Sequence, residues 1–280
     1  MTNRVQSAAP SNAEMTLLLQ QIVQLARSAG AAIMEIYRSE DFGETSKADN
    51  SPLTLADLAA HKIIVAGLVK LESAYPILSE EDANIPYSER RKWSSFWLVD
   101  PLDGTKEFLK RNGEFTVNIA LVENGVPVLG VVYAPVLDVC YFAARGSGAF
   151  IQRDGKPVQS IKTNIQAKGQ VIKVVASRSH SDERTTALLK KLGEYECISM
   201  GSSLKLCLVA EGAAHFYPRL GPTMEWDTAA AHAVVSEAGG MVCDVAEQAL
   251  RYNKEDLHNP EFLVLDKTNS ALLKMLRDDS

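Results

Sequence analysis

Paired cysteines are missing from this sequence of 280 residues: Cys140, Cys197, Cys207 and Cys243 stand singly, with no CxxC spacing. That excludes a zinc site built on paired thiolates and the disulfide framework of small secreted domains, and it predicts buried free thiols in a reducing compartment. A basic excess is missing as well. Lys+Arg 29 against Asp+Glu 35 leaves a net charge of −6 at pH 7. This argues against a nucleic-acid polymer as partner; an anionic small substrate stays compatible where local cations or metals attract it. No stretch reaches the roughly 18 apolar residues of a membrane span. The stretch Met1 to Met15 lacks the apolar core of a signal peptide, so the cytoplasm is the default compartment. Internal repeats and low-complexity arrays are also absent. The chain is 46% hydrophobic and 23% charged, which excludes a disordered chain, a collagen and a coiled coil.

What is present divides into two patterns. The first ~14 residues read as a disordered tail by composition. Leu18, Ile22, Leu25, Ala29, Ile33 and Ile36 then recur three and four apart, which predicts one face of a helix. Lys47 to Pro52 is a loop, and a second helix starts near Leu55 and runs through Asp57, Ile64, Leu68 and Leu71. Residues Phe115–Val122 and Val126–Tyr133 predict strands joined by a hairpin at Asn124-Gly125. Val139–Ala144 and Ala149–Gln152 continue the series. Residues 15–160 therefore read as an α+β half, with two helices on an antiparallel sheet. From 161 to 280 strands alternate with helices, as in an α/β unit. Here Val171–Ala176, Tyr195–Ser199, Ala214–Tyr217 and Met241–Val245 are the expected strands. The expected helices are Asp182–Leu192, Ser203–Ala210 and Thr228–Ala238, the last stopped by Gly239-Gly240.

Acidic residues gather at four strand ends or turns. They are Glu80-Glu81-Asp82 after Ile77-Leu78; Asp100-Pro101-Leu102-Asp103-Gly104-Thr105 after the apolar Trp97-Leu98-Val99; Glu225-Trp226-Asp227 ahead of the Thr228 helix; and Asp57 in the opening turn of the second helix. Each has an ordinary structural explanation. Asp227 can be an N-cap, Asp57 a first-turn acid favoured by the helix dipole, and Glu80-Glu81-Asp82 a solvated turn. The Asp100 stretch resists that explanation, because two acids at the buried end of a strand are a poor choice for stability alone. Carboxylate oxygens suit a hard cation such as Mg²⁺. Spacing by itself does not bring the four pieces together.

The string Asp100-Pro101-Leu102-Asp103-Gly104-Thr105, with Glu80-Glu81 upstream and Trp226-Asp227-Thr228-Ala229-Ala230 downstream, resembles the inositol monophosphatase superfamily of Mg²⁺-dependent, lithium-sensitive phosphatases. The resemblance covers nearly the whole chain after the tail and implies a layered α-β-α-β-α sandwich. Within the superfamily, the chain is most similar to the branch acting on 3′(2′),5′-bisphosphate nucleotides. The strings that carry this are Lys47-Ala48-Asp49-Asn50-Ser51-Pro52, Gly104-Thr105-Lys106-Glu107-Phe108, Arg111-Asn112-Gly113-Glu114-Phe115-Thr116-Val117-Asn118, Ser177-Arg178-Ser179-His180 and Gly201-Ser202-Ser203-Leu204-Lys205.

The resemblance implies removal of the 3′-phosphate of adenosine 3′,5′-bisphosphate, and action on 3′-phosphoadenylyl sulfate in sulfur assimilation. It implies two or three Mg²⁺ held by Glu80, Asp100, Asp103, Asp227 and the Leu102 carbonyl. Thr105 and Asp57 would position and deprotonate the attacking water, with Glu81 assisting. The nucleotide would meet Glu80, Leu102, Asp103, Gly104, Thr105, His180, Ser202, Lys205, Arg219 and Asp227. Lys106, Lys110 and Arg111 either steer anions or form a solvated helix face. Trp226 either stacks on adenine or packs behind Asp227, and packing is the expectation. Two other readings stay open: an inositol-1-monophosphatase or sugar bisphosphatase, and a non-catalytic nucleotide-binding regulator. Lys106 stands where many inositol phosphatases carry another residue type, which favours the nucleotidase. Similar proteins attach to the cytoplasmic face of the inner membrane, although no amphipathic anchor stands out here; monomer and homodimer are both open.

Overall fold

Five layers alternate between helix and sheet in the computed structural model, which describes residues 12–39, 42–46, 52–72, 74–165, 167, 170–176, 183–269 and 272–274. The first layer is α1 (Asn12–Tyr37) and α2 (Leu55–Val69), linked through the two-residue strands β1 (Thr45–Ser46) and β2 (Pro52–Leu53). Met15, Leu19, Ile22, Ala26, Ala29 and Ile33 form the buried stripe of α1 at spacings of three and four. Leu18, Leu25 and Ile36, read from the sequence as members of that face, flank it half-buried. The helix starts at Asn12, so residues 12–14 are helical rather than tail. The rest of the expected tail lies outside the described residues.

The second layer is a seven-stranded sheet of β3 (Ile77–Ser79), β4 (Ser95–Asp103), β5 (Thr116–Glu123), β6 (Val126–Ala134), β7 (Val139–Ala144), β8 (Gly148–Arg153) and β9 (Gln159–Ile161), in that order. All neighbours are antiparallel except β3 and β4. Short helices α3 (Tyr87–Arg90) and α4 (Thr105–Leu109) flank β4. Period-two alternation divides the strands between two cores. Trp97, Val99, Val117, Ile119, Leu121, Leu129 and Val131 pack under α1 and α2. Phe96, Leu98, Ala120, Val122 and Val132 face the other way.

That other face carries the third layer, α6 (Leu204–Ala210) and α7 (Glu225–Glu237), sandwiched against a second sheet. Its order is β11 (Tyr195–Ser199), β10 (Ile172–Ala176), β12 (Phe216–Arg219), β14 (Phe262–Asp266) and β13 (Gly240–Asp244). The β10 pairings are parallel; those of β14 are antiparallel. On its far side α5 (Glu183–Lys190) completes the stack through Leu189, packed on Ile172, Val174, Phe216 and Leu265. The layers therefore run α-β-α-β-α, as the resemblance implied.

Helix α7 lies flush on the first sheet because Gly130 of β6 has no side chain. A β-carbon there would come 2.1 Å from the Ala230 carbonyl oxygen. Ala230 is one turn after Asp227, so this close approach also fixes where Asp227 stands. Two sequence expectations need correction. Helix α7 begins at Glu225, so Glu225-Trp226-Asp227 forms its first turn instead of preceding it. The four cysteines are free, but Cys197 is exposed rather than buried. Among the described residues, no helix is long and apolar enough to cross a membrane.

Gly130→Val is expected to lower the unfolding free energy by about 3 kcal/mol, because the clash is with backbone and cannot be relieved by a rotamer change. A urea melt checks this; an unchanged midpoint would mean that α7 is not held against the sheet.

Candidate metal centre

Strand β4 delivers two acids to one place by breaking its own period. Residues three apart on a regular strand face opposite sides. Here Asp100 pairs with Asn118 and Asp103 with Thr116, so Pro101 and Leu102 together oppose Val117. This bulge turns Asp103 back to the face of Asp100. Pro101 belongs there, since its missing N–H interrupts no ladder bond. The Leu102 N–H donates to Asp100 Oδ1 at 3.0 Å. Gly104 then takes a left-handed conformation, φ 92°, and α4 opens at Thr105.

Two further elements meet this turn. The capping box of α2 holds Asp57: the Thr54 N–H and hydroxyl donate to Asp57 Oδ2 at 2.7 and 2.6 Å. Its other oxygen, Oδ1, lies 3.4 Å from Thr105 Oγ1, which is itself 3.5 Å from the Leu102 carbonyl. Asp227 comes from the first turn of α7, where it accepts the Met224 N–H at 2.9 Å. One ligand atom from each of Asp100, Asp103 and Asp227 lies within 4.8 Å of the others. Glu80, in the turn after β3, stands near enough to push the Asp100 carboxyl upward and joins the acidic group.

Asp100 is buried, whereas Glu80, Asp103 and Asp227 are half-buried, the last two on a cavity. Burial, reinforced by Glu80, Asp103 and Asp227, pushes Asp100 well above the usual carboxylate range. Burial raises Asp103 to about 6 against the pull of Lys205 and the Ser203 N–H, and Asp227 is raised by burial and Asp103. At an effective dielectric of ~20, each like-charged pair at such distances repels by about 3 kcal/mol. The donors are all oxygens. Carboxylates and a carbonyl converging without His or Cys fit a hard divalent cation, and the electrostatic strain is what such a cation relieves.

The cavity beside the cluster measures about 310 Å³. Asp103 and Asp227 line it together with four cations, Lys106, Lys110, Lys205 and Arg219, and one further acid, Glu107. Lys205 is only 8% exposed, and burial lowers its pKa to about 8 although Asp103 pulls it up. Arg219 is aimed by its own loop, its guanidinium donating to the Gly221 and Pro222 carbonyls at 3.2 and 2.9 Å. Ser202 lines the same cavity at φ 45°, its buried Oγ without a hydrogen-bond partner.

Thus the fold gathers Glu80, Asp100, Asp103, Asp227, Asp57, Leu102, Gly104 and Thr105 around one turn, and sets Ser202, Lys205 and Arg219 on the adjoining cavity. His180 and the Lys47–Ser51 string lie outside the described residues. The basic cluster after the turn divides. Lys106 and Lys110 line the cavity, whereas Arg111 donates to the Tyr37 and Ser39 carbonyls at 2.9 and 2.7 Å and stacks on Phe42. Trp226 packs in the core between the sheets. Sequence reasoning missed Thr54, Thr116, Asn118 and Ser203, which hold the acids by hydrogen bonds. Thr116 and Asn118 left a readable signal: two polar residues, two apart, ahead of the apolar run Ile119–Val122.

A layered fold with an oxygen-only acidic cluster at the end of a bulged strand defines a metal-site scaffold, and its lineage is clear from comparison. Residues 14–278 match the inositol monophosphatase family, and the chain belongs to it. It is 51% identical over 250 residues to the 3′(2′),5′-bisphosphate nucleotidase CysQ of Salmonella typhimurium, a match covering 88% of this chain and 99% of that protein. The CysQ nucleotidase of Escherichia coli strain K12 gives the same identity and coverage. The crystal structure of CysQ from Bacteroides thetaiotaomicron superposes with a TM-score of 0.81 at 45% identity, covering 92% of this chain and all of that one.

The strained acids lead to a stability prediction with a definite sign. A carboxyl whose folded pKa exceeds its unfolded value costs stability above the folded pKa, and the cost fades as pH falls through it. In chelator, the cluster's contribution should therefore improve as pH drops from 7 through about 6, the value for Asp103. Asp100→Asn should be at least as stable as wild type in EDTA at pH 7. With divalent cation at about 100 times its Kd, wild type should gain about 2.7 kcal/mol and the variant much less. Thermal melts with and without MgCl2 decide it; equal Mg²⁺ gains for both proteins would contradict the assignment of Asp100.

Proposed function

We propose that this chain is a Mg²⁺-dependent phosphatase that removes the 3′-phosphate of adenosine 3′,5′-bisphosphate, yielding AMP and phosphate. The observation that carries the proposal is one cavity lined both by Asp103 and Asp227 of the acidic cluster and by four cations, Lys106, Lys110, Lys205 and Arg219, against one further acid, Glu107. A metal cluster alone suits any phosphate monoester. The added cations suit a substrate with a second anionic group, and the similarity to proteins named as bisphosphate nucleotidases agrees with this.

In this reading Glu80, Asp100, Asp103, Asp227 and the Leu102 carbonyl hold the cations. Bound there, the cations supply Lewis acidity, drawing charge from the phosphoryl oxygens and lowering the pKa of water. The protein's own groups do the rest. Thr105 Oγ1, set between the Leu102 carbonyl and Asp57 Oδ1, orients the attacking water. Its proton passes toward Asp57, since a Thr hydroxyl is a poor base alone. Thr54 holds Asp57 Oδ2 and so leaves Oδ1 for that task. The backbone N–H groups of Gly104 and Thr105, at the start of α4, are not used by the helix's own carbonyls and bind phosphate oxygens. Lys205 and Arg219 take the phosphate that is not cleaved, with Ser202 lining the same cavity; the part of His180 rests on the sequence resemblance alone. In this reading the sulfated nucleotide 3′-phosphoadenylyl sulfate, which carries the same 3′-phosphate ester, is a second substrate, and the enzyme serves sulfur assimilation.

Purified protein is expected to release phosphate from adenosine 3′,5′-bisphosphate with MgCl2 far faster than from inositol 1-phosphate. Equal or reversed rates would overturn the substrate assignment, and nucleotide binding without turnover would favour a regulator. Asp103→Asn should abolish turnover while sparing the fold. Lys205→Ala or Arg219→Ala should each raise KM more than they lower kcat, by about 10- to 100-fold for loss of a charge-assisted contact; unchanged KM in both would place the nucleotide elsewhere.

A further inference from the structure

Behind Asp103 lies a buried polar knot that the chemistry above does not use. Asp103 Oδ2 accepts the Ser203 N–H at 2.6 Å, and it lies 3.4 Å from Thr116 Oγ1 and 3.5 Å from Asn118 Nδ2. Ser203 Oγ is in turn 2.9 Å from Thr116 Oγ1 and 2.8 Å from Asn118 Oδ1. Thr116, Asn118 and Ser203 are 0%, 1% and 2% exposed, so water does not compete for these bonds.

The proton directions follow from the groups involved. The amide oxygen of Asn118 only accepts, so the Ser203 hydroxyl donates to it. The Asn118 amide nitrogen is thereby turned toward Asp103. The Thr116 hydroxyl, free to donate, points to Ser203 Oγ or Asp103 Oδ2. Every donor in the knot thus bears directly or indirectly on one oxygen of one carboxylate. Among the described residues, no hydrogen bond reaches Asp103 Oδ1. The arrangement assigns one oxygen to the protein and leaves the other for the cluster.

Ser203 also joins two parts of the molecule. Asp103, Thr116 and Asn118 belong to the first sheet, whereas Ser203 directly precedes α6, which carries Lys205. One short segment therefore sets the orientation of Asp103 through Ser203 and its counter-charge through Lys205.

We infer that Ser203 is a positioning residue for the metal centre: its hydroxyl, braced by Thr116 and Asn118, holds the Ser203 N–H on Asp103 Oδ2 and so presents Oδ1 to the cation. This rests on the reading of Asp103 as a metal ligand. Groups that orient ligands in this way typically change metal affinity by about 10- to 100-fold when removed.

The test is calorimetric titration of the full chain with MgCl2 alone, without nucleotide. Ser203→Ala and Thr116→Val should each weaken Mg²⁺ binding by about 10-fold or more. Thr116→Ser keeps the hydroxyl and should bind within about threefold of wild type, an outcome that a loss of packing alone would not produce, because serine leaves a larger void than valine. Far-ultraviolet circular dichroism identifies any variant that fails to fold; if Ser203→Ala does, the Thr116 pair decides. Wild-type affinity in both Ser203→Ala and Thr116→Val would overturn the role of Ser203. If wild type itself takes up no Mg²⁺, the metal-centre reading falls, and that outcome is distinct because it appears before any variant is compared.

Discussion

Three carboxylates from two distant parts of the chain, one buried and two half-buried, approach within 4.8 Å of one another. Nothing in the protein neutralises them in full. Lys205 bears on Asp103 and Arg219 on Asp227, whereas the largest charged influences on Asp100 are Glu80, Asp103 and Asp227. Left alone, such a cluster must take up protons or push apart. It stays together because the backbone prevents the second outcome. The bulge in β4 fixes Asp100 and Asp103 on one face, and the seat of α7 on Gly130 brings Asp227 across to meet them. A rigid frame around a charge deficit is the physical content of a cation site.

The cavity extends the same logic to a substrate. The whole chain is acidic, with a net charge of −6, yet the cavity beside the cluster is lined by Lys106, Lys110, Lys205 and Arg219 against a single further acid, Glu107. Distance decides which charge an anion feels. At physiological ionic strength the screening length is about 8 Å, so an anion in the cavity responds to these cations rather than to the distant surface. Burial makes Lys205 the most consequential of the four: it is the enclosed one, and its charge is kept by the acid it faces. The two sheets thereby contribute complementary halves. The first supplies most of the acids, and the second, with α6, supplies Lys205, Arg219 and the Ser203 brace.

Much of this was legible in the sequence, and the limits are physical. An apolar run ending in Asp-x-x-Asp-Gly-Thr announces itself, since buried strand ends do not ordinarily carry two acids. The shared facing of Asp100 and Asp103 was not legible from spacing, because it depends on where β4 slips against β5. The start of α7 was hidden because Met224 is no capping residue; the cap comes from the side chain of Asp227 three positions later. Strand β12 was expected to end at Tyr217, and the strand in fact continues through Pro218 to Arg219. Proline is tolerated there because the pairing to β10 involves Phe216 alone, and the later residues pair with β14. Arg111 read as one of three equivalent basic residues; only the fold shows it turned to the Tyr37 and Ser39 carbonyls.

Adjacent acids in the first turn of α7 show how structural and functional carboxylates can be told apart. Glu225 is fully buried, as a residue held purely for stability would have to be satisfied to be. It accepts the Asn253 N–H at 2.6 Å, the Lys254 N–H at 3.0 Å and the Lys254 ammonium at 2.5 Å. Arg90, also buried, donates to Asn253 and to the Lys254 and Glu255 carbonyls, closing the brace. Asp227, two residues on, receives one backbone N–H and otherwise faces Asp103, Glu80, Arg219 and the cavity. A buried charge whose partners are supplied by the protein belongs to the frame. One left with its capacity unfilled, in a place from which it cannot retreat, is complementary to something that binds. The brace on Glu225 adds to the seat on Gly130 in anchoring the first turn of α7, from which Asp227 projects.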